Sequence, residues 1–267
     1  MADHNLHVTD TGGEGRPVVL IHGWPLAAAS WSEQVPALTD AGYRVVTYDR
    51  RGFGQSDPGD SYDYDALADD LGNVLTDLDL TDATIVGFSM GGGEVARYLS
   101  KHGDERIHSA VFAGAVPPYL AKNDDNPDGP LDDATAKSFD DGINGDRDEF
   151  FDGFVTSFYS VDGEEVATKE QHDEALALAK QSDVEAAKGC MQAFATTDFR
   201  DDLTTITVPT LVIHGDSDAV VPFEGSGKRT HEAIEQSELV VVEKAPHGFN
   251  VTHPQQFNDA LLAFLEK

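Results

Sequence analysis

The chain is 267 residues long and 40% hydrophobic, enough for one α/β unit with a sizeable core, with or without an inserted lobe. Its 49 acidic residues outnumber 18 basic ones, for a formal net charge of -31, so nucleic acid and anionic membranes are poor partners for this surface. No run of eighteen apolar residues exists, the first five residues carry neither a basic nor an apolar leader, and the single cysteine, Cys190, excludes an internal disulfide, so we expect a cytoplasmic protein without a membrane span.

Leu6 to Thr9 alternates in polarity and predicts a short strand. After the turn Gly12-Gly-Glu-Gly15 comes Val18-Val-Leu-Ile21, a continuous apolar run expected of a strand buried on both faces. His22-Gly23-Trp24-Pro25 follows directly. A helix is predicted over Trp31 to Ala41, then a strand over Arg44 to Tyr48, ending in Asp49-Arg50-Arg51-Gly52-Phe53-Gly54. Leu67, Leu71, Val74, Leu75 and Leu78 form an apolar stripe on a helix from about Tyr64 to Asp79. Ala83 to Phe88 is the central strand, and Ala110 to Ala115 is another, stopped by Pro117-Pro118. From Tyr119 to Arg200 no buried parallel-type strand is visible. A polar loop over Lys122 to Pro130 precedes helical patterns at Asp146 to Tyr159, Lys169 to Lys180 and Val184 to Ala195. The strand rhythm resumes at Thr210 to Gly215 and at Glu238 to Glu243, and a last helix covers Pro254 to Lys267. We expect a core of residues 1–118 and 201–267, with residues 119–200 inserted as a helical lid. Alternating strands and helices imply a mostly parallel sheet, in which ligands bind beyond the carboxyl ends of the strands.

The chemistry-bearing residues fall at such ends. Gly87-Phe-Ser89-Met-Gly91 sits between a buried-strand run and the start of a helix. That context turns a weak pattern into a strong one, with a serine hydroxyl at the apex of a sharp turn. The bland alternative is an ordinary turn with a small polar helix cap. Ser89 as a nucleophile needs a base and a group to orient that base. His247 in Ala245-Pro-His247-Gly is the base candidate. Gly215-Asp216-Ser217-Asp218 offers two carboxylates, either of which could simply tie down its loop. His22 and His214 lack metal-ligand spacing with a third residue and read as packed, hydrogen-bonded histidines. Asp49, Arg50 and Arg51 read as braces around Gly52 and Gly54 rather than as a phosphate site. Cys190 reads as a small buried hydrophobe.

The order Ser, Asp, His is that of the α/β-hydrolases. The segments His22-Gly-Trp-Pro-Leu26, Tyr48-Asp-Arg-Arg-Gly-Phe-Gly54, Gly87-Phe-Ser-Met-Gly-Gly-Gly93 and Asn123-Asp-Asp-Asn-Pro-Asp-Gly129 resemble the cofactor-free haloperoxidases, also called perhydrolases or arylesterases. The resemblance spans nearly the whole chain and is weakest in the lid. It implies an α/β-hydrolase fold, and the short segment before His22 leads us to expect seven strands rather than eight. Carried over residue by residue, it implies Ser89 as nucleophile, Asp218 (not Asp216) as triad acid, His247 as base, and the backbone amides of Trp24 and Met90 as the oxyanion hole. It also implies that Pro25 favours perhydrolysis and that no cofactor or metal is needed. Relatives are often homo-oligomers, and we carry that over as an expectation.

The substrate expected from these features is a small-molecule ester or carboxylic acid, with water or hydrogen peroxide as acceptor. Trp24, Pro25, Phe154 and Phe158 are the expected acyl pocket, with Phe139, Phe150, Met191 and Phe194 as further wall candidates. At helical spacing such side chains are more often simple packing. A C–C bond hydrolase or lactonase on the same three residues, and a non-catalytic ligand-binding protein on this fold, remain alternatives. The serine argues against dehalogenases and epoxide hydrolases, whose chemistry requires a carboxylate there. The acidic residues are spread along the whole chain, a composition resembling that of haloarchaeal proteins, where molar salt screens charge to within about 3 Å.

Overall fold

A computed structural model describes residues 5–267; the reading of the N-terminus as free of a leader falls almost wholly on residues 1–4, outside the described residues. The apolar runs become strands β1 (Val8–Asp10), β2 (Pro17–Ile21) and β3 (Arg44–Tyr48), with helix α1 (Gln34–Asp40) between the last two. Next come α2 (Tyr64–Asp77), β4 (Ala83–Phe88), α3 (Met90–His102) and β5 (Ile107–Ala113). The insertion contains α4 (Asp133–Asn144), α5 (Arg147–Phe158), the hairpin β6 (Ser160–Val161) and β7 (Glu164–Glu165), α6 (Lys169–Lys180) and α7 (Val184–Thr196). The short α8 (Arg200–Leu203) leads back to β8 (Thr210–Gly215), α9 (Gly227–Ala233), β9 (Ser237–Val242), α10 (Phe249–Thr252) and α11 (Pro254–Leu265).

The main sheet has seven strands in the order β1-β3-β2-β4-β5-β8-β9. Only β1 runs antiparallel to its neighbour. Val18 to Ile21 and every residue of β4 are buried, as a doubly covered parallel strand requires. Each such Val, Leu or Ile contributes about 1.5–3 kcal/mol relative to exposure. Ile21 pairs with Gly87, so the segments that leave β2 and β4 begin side by side.

Differences from the sequence expectations have local causes. The helix expected from Trp31 is instead a 3-10 turn over Ala28–Trp31, with α1 beginning only at Gln34. That start leaves Pro36 in the first turn, where its missing N–H costs nothing; in an unbroken helix its ring would meet the carbonyl of Ser32. Helix α4 is additional. It buries only Ile143, so its apolar stripe is faint, yet Asp132 caps it by accepting from Thr135 N at 2.8 Å. Aspartates cap α2, α5 and α7 in the same way, through Asp63, Asp146 and Asp183. The β6–β7 hairpin turns at Asp162-Gly163, both at positive φ, a turn signal that only a two-residue strand flanks on each side.

Candidate active site

Between β4 and α3 a single residue, Ser89, must reverse the chain. It does so at φ 53° and ψ -118°, a conformation costing a non-glycine residue about 1–3 kcal/mol. Its own backbone holds it there. Ser89 N donates to the Ala113 carbonyl at 2.9 Å, and its carbonyl accepts from Gly92 N at 3.0 Å and Val116 N at 3.2 Å. The flanking glycines are required by space: a β-carbon on Gly87 would lie 2.4 Å from the Gly91 carbonyl oxygen, and one on Gly91 2.6 Å from that of Ile21.

His247 lies after β9 and Asp218 after β8, on the far side of β5 from Ser89. Nonetheless His247 Nε2 sits 2.9 Å from Ser89 Oγ, and His247 Nδ1 sits 2.6 Å from Asp218 Oδ2. An ionised carboxylate only accepts, so Nδ1 carries the proton and Nε2 is free to accept from the serine hydroxyl. The other oxygen of Asp218 accepts from the amides of Val220 (2.9 Å) and Val221 (2.7 Å). Burial would push this carboxyl up. His247, with help from His214, outweighs that and holds it down at about 2, so it is ionised at neutral pH. Asp216 does not reach the histidine: it is exposed and accepts from Lys244 N at 2.7 Å and Ser217 Oγ at 2.9 Å, pinning its loop.

The loop after β2 passes close to the serine. A β-carbon on Gly23 would lie 3.1 Å from Ser89 Cβ, which places Trp24 next to the site, and the Trp24–Pro25 peptide is cis. Met90 is the first residue of α3 and is fully buried. His22 and Arg50 fix the loop from behind. His22 Nδ1 donates to the Gly23 carbonyl at 2.9 Å, and Nε2 accepts from Arg50 N at 2.9 Å. Burial, reinforced by the charge of Arg50, holds His22 well below the ordinary imidazole range, so it is neutral. The Arg50 guanidinium donates to the His22 carbonyl at 2.6 Å and to Glu94 Oε1 at 2.5 Å, and Tyr48 Oη donates to Glu94 Oε2 at 2.8 Å. Arg51 pairs with Asp70 at 2.7 Å. Cys190 is buried, which pushes its thiol up to about 12 and leaves it inert.

Ser89 opens into a cavity of about 950 Å³ beneath the helical insertion. Trp24, Phe139, Phe150, Phe154, Met191 and Phe194 line it, whereas Pro25 and Phe158 are not part of its wall. The Trp24 indole donates to the Ala187 carbonyl at 3.0 Å, and its ring meets Phe154 edge-on at 5.1 Å. Phe158 instead lies edge-on to the His247 ring at 4.9 Å, where it helps to shield that side chain. Sequence reading did not foresee this contact, nor that of His214 with Asp218, which the turn after β8 folds back onto the strand end. Among the described residues, no group of three His, Cys, Asp or Glu side chains is placed to hold a metal ion, and no helix is long and apolar enough to cross a membrane.

A seven-stranded, mostly parallel sheet with a hydrogen-bonded Ser, His and Asp at its strand ends defines a class, and comparison with known proteins agrees: the chain belongs to the α/β-hydrolase family, whose model matches residues 16–254. Within that family it is an enzyme of the non-heme haloperoxidase, perhydrolase and esterase group. It is 44% identical to the non-heme chloroperoxidase CPO-A1 of Kitasatospora aureofaciens over 96% of this chain and 94% of that one. With the bifunctional esterase/perhydrolase DCH of Acinetobacter calcoaceticus it shares 37% identity over 98% and 96%. The crystal structure of a bromoperoxidase from Bacillus anthracis superposes with a TM-score of 0.96, at 51% identity, over 99% of this chain and 96% of that one.

Proposed function

We propose that the chain hydrolyses carboxylic esters through an acyl-Ser89 intermediate, with perhydrolysis as a second outcome of the same intermediate. The observation that carries this reading is the unbroken hydrogen-bond path from Ser89 Oγ through His247 to Asp218, opening on a cavity. Ser89 Oγ attacks the ester carbonyl while its proton passes to His247 Nε2. Asp218, ionised, balances the imidazolium. The alkoxide leaves with that proton as alcohol. Water then adds to the acyl carbon as His247 takes a proton, and the carboxylic acid departs as the proton returns to Ser89.

The oxyanion of each tetrahedral intermediate is assigned to the backbone N–H groups of Trp24 and Met90. Two features support this: the 23–24 loop runs against Ser89, and Met90 opens a 13-residue helix whose positive end favours negative charge. Each such donor typically supplies roughly 3 kcal/mol. When hydrogen peroxide replaces water, the peroxide oxygen adds, the bond to Ser89 breaks, and a peracid leaves. That peracid passes one oxygen to a halide and becomes the carboxylate. Relatives named chloroperoxidase and esterase/perhydrolase support this branch.

The aromatic cavity suits acyl groups well beyond acetate in size, since pockets of about 300–1,000 Å³ hold drug-sized ligands. The dispersed acidic surface we read as an adaptation to concentrated salt. The test is p-nitrophenyl ester hydrolysis by wild type and Ser89→Ala, with a serine-reactive phosphonate to map the labelled peptide. Loss of turnover in the variant and labelling at Ser89 are expected; equal rates, or a label elsewhere, overturn the reading. Bromination of monochlorodimedone that requires both peroxide and acetate would separate perhydrolysis from plain esterase action.

A further inference from the structure

His214, the penultimate residue of β8, is fully buried and belongs to none of the steps above. Its Nε2 faces two acceptors, the Val221 carbonyl at 2.8 Å and Asp218 Oδ2 at 3.2 Å. Its Nδ1 is shielded from solvent and has no hydrogen-bond partner among the described residues. Only one tautomer satisfies this environment: Nε2 carries the proton and presents it to the carbonyl and the carboxylate. The ring is held in that pose by close packing, because even a β-carbon on Gly227 would fall 2.4 Å from Nδ1. Phe223 covers it further, with ring centroids 5.6 Å apart.

Asp218 Oδ2 is therefore shared by two imidazole N–H groups, from His247 at 2.6 Å and from His214 at 3.2 Å. Two amides saturate Oδ1. A carboxylate with all its donors fixed cannot rotate, and a buried one without them is costly to ionise. We propose that His214 is a positioning residue, whose Nε2–H shares Asp218 Oδ2 with His247 and so fixes the orientation and basicity of the acid that steers the base. The same N–H ties Val221 to the site, so the loop that carries Asp218 and the carboxylate itself are held by one group. The proposal rests on the reading of Ser89, His247 and Asp218 as a catalytic relay.

The test compares His214→Phe, His214→Gln and His214→Asn. Gln places an amide N–H near the Nε2 position, Asn places it near Nδ1, and Phe keeps the bulk without a donor. Withdrawing the donor concentrates charge on Oδ2, which strengthens its bond to the His247 imidazolium. The acid limb of the kcat/KM profile should then move to higher pH in the Phe and Asn variants. Their kcat should fall with KM nearly unchanged, since partners that hold an orienting group typically carry about 10–100-fold. Gln should stay within about threefold of wild type, less than half the tenfold that corresponds to 1.4 kcal/mol. The low-field proton resonance of His247 Nδ1–H should shift in Phe and Asn and not in Gln, and this readout needs no turnover. A shifted resonance in an enzyme without esterase activity would sink the proposed reaction and leave the role of His214 standing. Unshifted profiles and resonance in Phe, or equal behaviour of Gln and Asn where Phe does not fold, would overturn the role itself.

Discussion

The Arg50 guanidinium and the Glu94 carboxylate meet at 2.5 Å with both side chains wholly shielded from solvent. The pair ties the loop after β2 to helix α3, because Arg50 also holds the His22 carbonyl. Removing one partner strands the other as a buried charge, which costs about 3–5 kcal/mol. Arg50→Met should lower the urea midpoint accordingly. Arg50→Met combined with Glu94→Leu should cost less than the sum of the single changes, because no charge is then left unpaired. Additive losses in that double-mutant cycle would contradict this account.

Asp218→Asn should reduce kcat by about 10⁴ with the fold intact, since an amide that donates to Nδ1 leaves the proton on Nε2 and disables the base. Active-site titration and circular dichroism would separate that loss from unfolding. The same carboxylate links stability to pH. Its folded value is depressed, from an ordinary 3.8 to about 2. Its stabilising contribution, about 2 kcal/mol, is thus fully present above 3.8 and lost as pH falls through 2. The stability gap between wild type and Asp218→Asn should narrow as pH falls through that interval.

His172 links α6 to its neighbours, with Nδ1 2.6 Å from Glu165 on β7 and Nε2 3.3 Å from Asp152 on α5. Burial pulls its pKa down, but the two carboxylates outweigh it and raise it above the ordinary 6.5. A raised folded-state value stabilises fully below 6.5 and loses that effect as pH climbs through the higher value. Amide exchange in α6 should therefore quicken as pH rises above 6.5, after correction for intrinsic rates, in wild type and not in His172→Gln. Identical pH dependence in the two proteins would remove the link.

A formal charge of -31 on 267 residues implies strong self-repulsion at low ionic strength. Far-ultraviolet circular dichroism should report loss of helix on dialysis from molar salt to a dilute buffer, with recovery on return. Full ellipticity in the absence of salt would refute the environmental reading of the composition.

Much of this architecture was legible in the sequence because parallel strands buried on both faces leave unmistakable runs, as Val18 to Ile21 and Ala83 to Phe88 do. Ser89 and His247 could be picked out because each sits in a short turn motif just past such a run; the turn after β8 offers both Asp216 and Asp218, and only the family resemblance singles out Asp218, which the structure joins to the other two in one chain of hydrogen bonds. The insertion was harder. Helix α4 buries a single apolar residue, so periodicity says little there and only its cap, Asp132, marks its start. Long-range contacts leave no local trace. Neither the Arg50–Glu94 pair nor the packing of Phe158 on His247 follows from spacing, because each joins residues 44 or more positions apart.

The insertion leaves the sheet after β5 and returns at β8, and those two strands are direct neighbours, with Ala113 paired to Ile213. Its two stems are thus anchored on adjacent rungs of one hydrogen-bond ladder, whatever lies between them. We therefore expect the segment to act as a cassette, whose length and lining can be exchanged while the strand ends that carry Ser89, Asp218 and His247 stay in place. Several contacts with the core constrain the exchange: the Phe158 carbonyl accepts from Gly248 N at 2.9 Å beside the histidine, Asp183 N donates to the Gly52 carbonyl at 2.7 Å, and the Ala187 carbonyl accepts from the Trp24 indole at 3.0 Å. A donor cassette that preserves those contacts should transplant the acyl preference of its source onto this scaffold.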